Sequence, residues 1–186
     1  MEHLIRPVRG DEWRQVRALR LLALRDPAAP VAFLETYEKA VAQPDEYWQD
    51  RTTNAAPGGP MRQFIAEGPD GGWAGSVTVL VEEPGAQSVL GAGVEVRQAH
   101  LVGVYVRPEH RGTGLTEALF EAAVEWARAA DGAGVERVRL FVHEDNERAE
   151  AFYRRFGFAR SGRSASVPGD PSALEYEMVL AQARGR

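Results

Sequence analysis

The run Arg111-Gly112-Thr113-Gly114-Leu115-Thr116 holds the residue types that bind a phosphate. Glycine lacks a Cβ, so an anion can approach the backbone N–H groups at Gly112 and Gly114 closely. Arg111 offers a planar fork of donors that pairs with phosphate oxygens. A helix starting just after Gly114 would add unpaired N–H groups and the positive end of its dipole. Read alone, the two glycines serve a tight turn equally well.

The flanking elements favour the first use. Residues 101–106 are a short apolar, β-branched run and predict a buried strand, which Pro108 stops because it has no N–H for the ladder. Downstream, Leu115, Ala118, Leu119, Ala122, Ala123 and Trp126 recur at helical spacing on one face, with Glu117, Glu121, Glu125 and Arg128 off it. The order is strand, glycine turn, helix N-terminus, placed as ligand sites on open α/β sheets are.

With these residues in view, Arg111 to Thr116 resembles the pyrophosphate-binding motif of the GNAT superfamily of acetyl-CoA-dependent N-acetyltransferases. Thr116 stands where that motif has Gly or Ala, and crowds the approach more than they would. Val104-Tyr105-Val106-Arg107-Pro108-Glu109 is similar to the family's strand end. A second stretch, Asn146-x-x-Ala149-x-x-Phe152-Tyr153-x-x-x-Gly157-Phe158, resembles the second GNAT motif, and the two together cover residues 101–158. Part of this second pattern has a purely structural use. Asn146 can cap a helix, Gly157 can end it, and the aromatic stripe can pack.

The resemblance implies a single acetyltransferase domain over residues 1–186. It implies an α/β fold, with a mixed, mostly antiparallel central sheet flanked by helices. The central strand and its neighbour (residues 135–142) would splay apart to admit the pantetheine. Acetyl-CoA would be the co-substrate, contacted by Val104, Tyr105, Val106, Arg111, Gly112, Thr113, Gly114, Leu115, Thr116 and Asn146. No metal is needed. Tyr153 would be the acid for the leaving thiolate. The segment after the first strand lines the acceptor side in this family, so Glu35, Tyr37 and Glu38 are candidates to contact an amine. Phe33 and Tyr37, at i and i+4, would equally well pack into the core while the glutamates face water.

The chemistry itself sets three demands. Alkyl amines have pKa values near ~10, so a base must take a proton. A backbone N–H near Val104 to Val106 is the family's donor to the oxyanion. The departing thiolate, of thiol pKa near ~8.5, needs a proton that a phenol near ~10 can give. His100 is the first candidate for the base. It precedes Arg111 by eleven residues, the offset at which histone acetyltransferases of the superfamily carry their catalytic glutamate. Imidazole titrates near ~6.5, which suits the task. Glu95 and Glu35 are rivals, and a strand histidine that only packs is the plain alternative.

Composition narrows the rest. The 186 residues are 44% hydrophobic, enough for a real core, and carry a formal charge of −5 with no basic block. That argues against nucleic acid as a partner. There is no cysteine, which removes disulfides, thiolate metal sites and cysteine nucleophiles. No apolar run approaches the ~18 residues of a membrane span, and no signal-peptide core is present. A cytoplasmic location without membrane attachment is therefore the expectation, and a homodimer is open to it as to other members of the family. A non-catalytic acyl-CoA sensor is the rival from another class. A nucleotide-binding module is disfavoured because no Gly-Lys-Ser/Thr follows the turn.

Along the chain, residues 3–8 predict a strand and Asp11 a cap for a helix to about Arg25. Residues 30–42 and 44–53 predict two more helices. Residues 61–67 and 73–82 predict a hairpin, and residues 83–93 a loop leading to a central strand from about Val94. Residues 161–172 read as a loop, residues 174–180 as the last strand and residues 181–186 as a frayed tail.

Overall fold

The structure, a computed structural model, describes residues 2–88, 90 and 93–182. Gly91 of the expected loop and residues 183–186 of the expected tail lie outside the described residues. The strands are β1 (Leu4–Pro7), β2 (Arg62–Glu67), β3 (Trp73–Glu82), β4 (Gln98–Val106), β5 (Arg137–His143), β6 (Phe158–Val167) and β7 (Asp170–Leu180). They form one sheet in the order β1-β2-β3-β4-β5-β7-β6. Every neighbouring pair is antiparallel except β4 and β5, so the sheet is mixed and mostly antiparallel, as the resemblance implied.

Helices cover both faces. They are α1 (Trp13–Leu24), α2 (Ala29–Ala32), α3 (Tyr37–Val41), α4 (Asp45–Ala55), α5 (Leu115–Arg128) and α6 (Glu147–Phe156). On one face α5 and α6 pack over Ala99, Leu101, Val138, Leu140 and Val142. Phe120 is the hub there, with the rings of Phe152, Tyr153 and Phe156 centred 5.1, 5.7 and 5.3 Å away. Burying such a side chain is worth about 1.5–3 kcal/mol. On the other face α1 and α4 bring Val16, Leu19, Ala23 and Trp48 against Val8, Ile65 and Tyr105.

Two features of β4 create the site. It pairs with β5 only at Gln98↔Arg137, Ala99↔Val138 and His100↔Arg139. Beyond His100 the two strands part. Further along, Ser76 faces Tyr105 while Thr78 faces Val102, so β4 carries one extra residue. The bulge centres on Gly103, at φ 62°, a conformation that a side chain would resist.

Several expectations are corrected. Asp11 does not cap α1: the helix follows Glu12, whose carboxylate is held by Arg6 and accepts the backbone N–H of Arg9 at 2.8 Å. The helix expected over residues 30–42 is two, because Phe33 is extended and Thr36 starts α3 by accepting the Lys39 N–H. This break ends the i, i+4 relation between Phe33 and Tyr37. The stripe of α5 includes Phe120 and Ala127. The loop expected over residues 161–172 is largely β6 and the start of β7, and the central strand begins at Gln98 rather than near Val94. β6 was hidden because it is exposed along nearly all its length and shows no alternation to read.

Candidate active site

A cleft of about 940 Å³ opens where β4 and β5 part. Its walls are the second half of β4, the end of β5, and the starts of α5 and α6, with the segment from Asp26 to Glu35 passing alongside.

Local sequence builds the phosphate side. Gly112 and Gly114 have φ of 74° and 84°, and nothing lies within 4 Å of where a Cβ would stand on either. Gly114 is the N-cap of α5 and offers no side-chain acceptor, and the first backbone bond of the helix is Ala118 N–H to Gly114 O. The N–H groups of Leu115, Thr116 and Glu117 are therefore left for a ligand. Arg111 braces the turn: its Nε donates to Val106 O at 2.9 Å and its Nη2 meets Asp26 Oδ2 at 2.5 Å. Burial works against the charge on Asp26, but the Ala28 N–H and Arg111 outweigh it and hold the carboxyl below its usual range. At the start of α6, Asn146 Oδ1 accepts the Ala149 N–H at 3.3 Å, and its Nδ2 donates to Val31 O at 3.4 Å.

Of the expected cofactor residues, Val104, Tyr105, Val106, Arg111, Gly112, Gly114, Thr116 and Asn146 line the cleft. Two do not. The Thr113 hydroxyl is exposed and turns back to His110 O at 2.6 Å, and Leu115 is buried in the core under α5. Packing under the helix sets the place of Leu115, and a local turn bond sets that of Thr113.

Tyr153 also lines the cleft, buried in the aromatic cluster, and its hydroxyl makes no hydrogen bond among the described residues. Burial, and then the charge of Glu175, push this phenol well above its ordinary value, so it stays protonated through neutral pH. His100 is 3% exposed, sits at the point where the strands part, and borders the same cleft. Its Nδ1 is buried and faces Glu82 Oε2 at 3.7 Å, too far for a hydrogen bond.

Under His100 an ionic floor crosses four strands. Glu82 of β3 is held by Arg139 of β5, Nε at 3.0 Å and Nη2 at 2.9 Å. Arg139 Nη1 meets Glu177 of β7 at 2.7 Å, and Arg137 meets the same carboxylate at 2.7 Å. Arg139 and Glu177 are both 0% exposed. Burial opposes the charge on Glu177, yet hydrogen bonds from Arg137, Ser161 and Arg139 hold it at about 2.

The acceptor side departs from expectation. Of Glu35, Tyr37 and Glu38, only Glu35 reaches the cleft, and Arg20 Nε neutralises it at 2.9 Å. Tyr37 hydrogen-bonds Arg25 outside the cleft, and Glu38 is exposed. The rival base Glu95 is also outside, paired with Arg163 at 2.9 Å. Sequence reading missed Arg20, Arg51 and Glu175, all of which line the cleft. The Glu175 side chain has no hydrogen bond or ion pair among the described residues, and burial lifts its carboxyl to about 7. Its only signal was a position out of phase with the apolar residues of β7. That phase reads as solvent-facing on a strand with one covered face. Among the described residues no group of three or more His, Asp or Glu side chains could hold a metal ion.

Comparison with known proteins places this arrangement. The acetyltransferase (GNAT) family pattern matches residues 19–158. Mycothiol acetyltransferase of Salinispora arenicola is 36% identical over 83 residues, which are 45% of this chain and 24% of that protein. The chain thus spans only part of the curated relatives it matches, about half their length or less. A GNAT-family acetyltransferase from Streptococcus pneumoniae superposes with a TM-score of 0.71 at 20% identity, covering 96% of this chain and 98% of that one. PaiA N-acetyltransferase from Thermoplasma acidophilum, in complex with coenzyme A, gives 0.69 at 17% identity over 95% and 98% of the two chains.

Proposed function

This chain belongs to the GNAT acetyltransferase family, and on that premise we propose that it transfers the acetyl group of acetyl-CoA to a primary amine of a small molecule or peptide. The observation that carries the reading is the parting of β4 and β5 after three paired residues, with a free helix N-terminus on one side and titratable side chains on the other.

The pyrophosphate is read onto the α5 N-terminus, cradled by the Gly112–Gly114 turn. Arg111, already tied to Asp26, shapes that turn. The pantetheine runs into the gap between the strands. The amine nitrogen attacks the thioester carbonyl, a C–N bond forms, and charge moves to the oxygen. Backbone N–H groups after the Gly103 bulge stabilise it. His100 takes the proton from the amine. Collapse breaks the C–S bond, and Tyr153 supplies a proton to the sulfur. A phenol raised above its usual pKa stays protonated at neutral pH, so its O–H is present to hydrogen-bond the developing thiolate, and it gives up the proton less readily than an ordinary phenol.

The non-catalytic sensor reading needs none of the acceptor side. A protonated phenol and an unpaired carboxyl lining the same cleft favour the enzyme. The test is CoA release from acetyl-CoA against amines, polyamines, amino acids and short peptides, read with a thiol reagent. A chain without cysteine gives no background. Release with one acceptor class supports transfer; acetyl-CoA binding with no release across all classes favours the sensor.

A further inference from the structure

The acceptor side holds more positive charge than it neutralises. Arg20 of α1 and Arg51 of α4 both line the cleft, and both border a small hollow beside Gly103. A Cβ on Gly103 would stand 4.0 Å from Arg20 Nη1, so this charge lies next to the bulge where transfer is proposed. Arg20 is paired with Glu35 and lies over the Phe33 ring at 4.6 Å. Arg51 has no carboxylate partner among the described residues. Its Nη1 donates to the Tyr47 hydroxyl at 3.1 Å, and its guanidinium stands 5.8 Å from the Trp48 ring centre. Of the two guanidiniums, only that of Arg20 is matched by a carboxylate. Apolar side chains of the same cleft include Phe33, which lies under Arg20, and Leu34, Leu80, Leu90 and Phe141.

We propose that the acceptor carries a carboxylate beside its reacting amine, and that Arg51, with Arg20 behind it, receives that carboxylate. The inference rests on the acetyl-transfer reading and names its substrate class: amino acids or close relatives, rather than simple cations. A guanidinium presents a planar fork that matches a carboxylate, and the attraction is stronger against an apolar wall than in water. Burial, and then the neighbouring Arg51, lower the pKa of Arg20, so an anion placed between them relieves a repulsion already present. Glu175 and His100 line the same cleft and suit the amine end. Charges of both signs then match a zwitterion. Of Glu35 and Glu38, the expected amine contacts, only Glu35 reaches the cleft, and Arg20 already neutralises it.

The test uses the full chain and matched pairs that differ only in the carboxylate: alanine and ethylamine, phenylalanine and phenethylamine, tyrosine and tyramine. Thiol release gives kcat/KM for each, and calorimetry on the CoA-loaded protein gives each binding constant. The expected result is a preference of about tenfold or more for the carboxylate member of at least one pair. In Arg51→Gln that ratio collapses towards one, and Arg51→Lys restores part of it. A carboxylate preference in binding without turnover would keep this inference and remove acetyl transfer. Turnover of the amines with no preference would overturn the inference and keep acetyl transfer. Arg51→Gln weakening acetyl-CoA binding instead would assign Arg51 to the cofactor's own phosphates and overturn it. Neither binding nor turnover of any member would overturn it as well.

Discussion

The two sides of the cleft are built by opposite means. The phosphate side comes from two short runs, residues 111–116 and 146–153, each of which carries its own turn, cap and helix start. The acceptor side is collected from Arg20 on α1, Glu35 after α2, Arg51 on α4, His100 on β4 and Glu175 on β7. In the proposed transfer, one recognises a fixed pyrophosphate through backbone N–H groups. The other would take an acceptor through side chains that meet only when the sheet has formed. A site held by backbone can be replaced residue by residue only at its glycines. A site held by scattered side chains can change at any of them, which is how one fold serves many acceptors.

The largest effect expected is on what both sides stand on. Arg139→Leu leaves Glu82 and Glu177 buried without their shared partner, and should remove about 3–5 kcal/mol of stability in urea unfolding. A loss below about 1 kcal/mol would mean that the ionic floor does not hold the parting strands.

Next come variants that separate the sides. His100→Ala should lower kcat/KM by about 10²-fold while acetyl-CoA affinity persists. Glu175→Gln should lower it far less; a loss as large as that of His100→Ala would move the base to Glu175. Gly114→Ala places a side chain at φ 84°, a strain of about 1–2 kcal/mol, and should weaken acetyl-CoA binding about tenfold in calorimetry with a smaller change in acceptor KM. An effect mainly on acceptor KM would erase the distinction between the sides.

The smallest effect is a pH-dependent one. Burial lifts Glu175 to about 7 from the ordinary 4.5, so the folded protein keeps a proton that the unfolded chain sheds. Its contribution to stability is full below 4.5 and is lost as pH rises through 7. Glu175→Gln should therefore raise Tm by about 2–4 °C at pH 8 and not at pH 4.5. An equal gain at both pH values would show that packing, not titration, is at work.

The same contrast explains what could be read in advance. Gly112, Gly114, Asn146 and Gly157 declare themselves, because a positive φ or a helix cap is a local demand met by few residue types. The amphipathic α5 was visible for the same reason, apart from Phe120, whose neighbours are on α6. Arg20 and Arg51 look like ordinary surface charges on their helices until α1 and α4 close over Gly103. Glu177 reads as the wet side of an edge strand, whereas β7 lies between β5 and β6 and its Glu177 meets two arginines. The split of residues 30–42 into α2 and α3 follows from Thr36 capping the second helix, a local signal that the aromatic and acidic run around it obscured.

The most direct measurement is kcat of Tyr153→Phe beside its affinity for acetyl-CoA. In the proposed transfer the phenol joins both sides: it lines the gap between β4 and β5, and its role comes once an acceptor has attacked. Loss of the hydroxyl should lower kcat about 10²-fold with the acetyl-CoA dissociation constant unchanged. An unaltered kcat would contradict the assignment of the gap between β4 and β5 as the place where the thioester is cleaved.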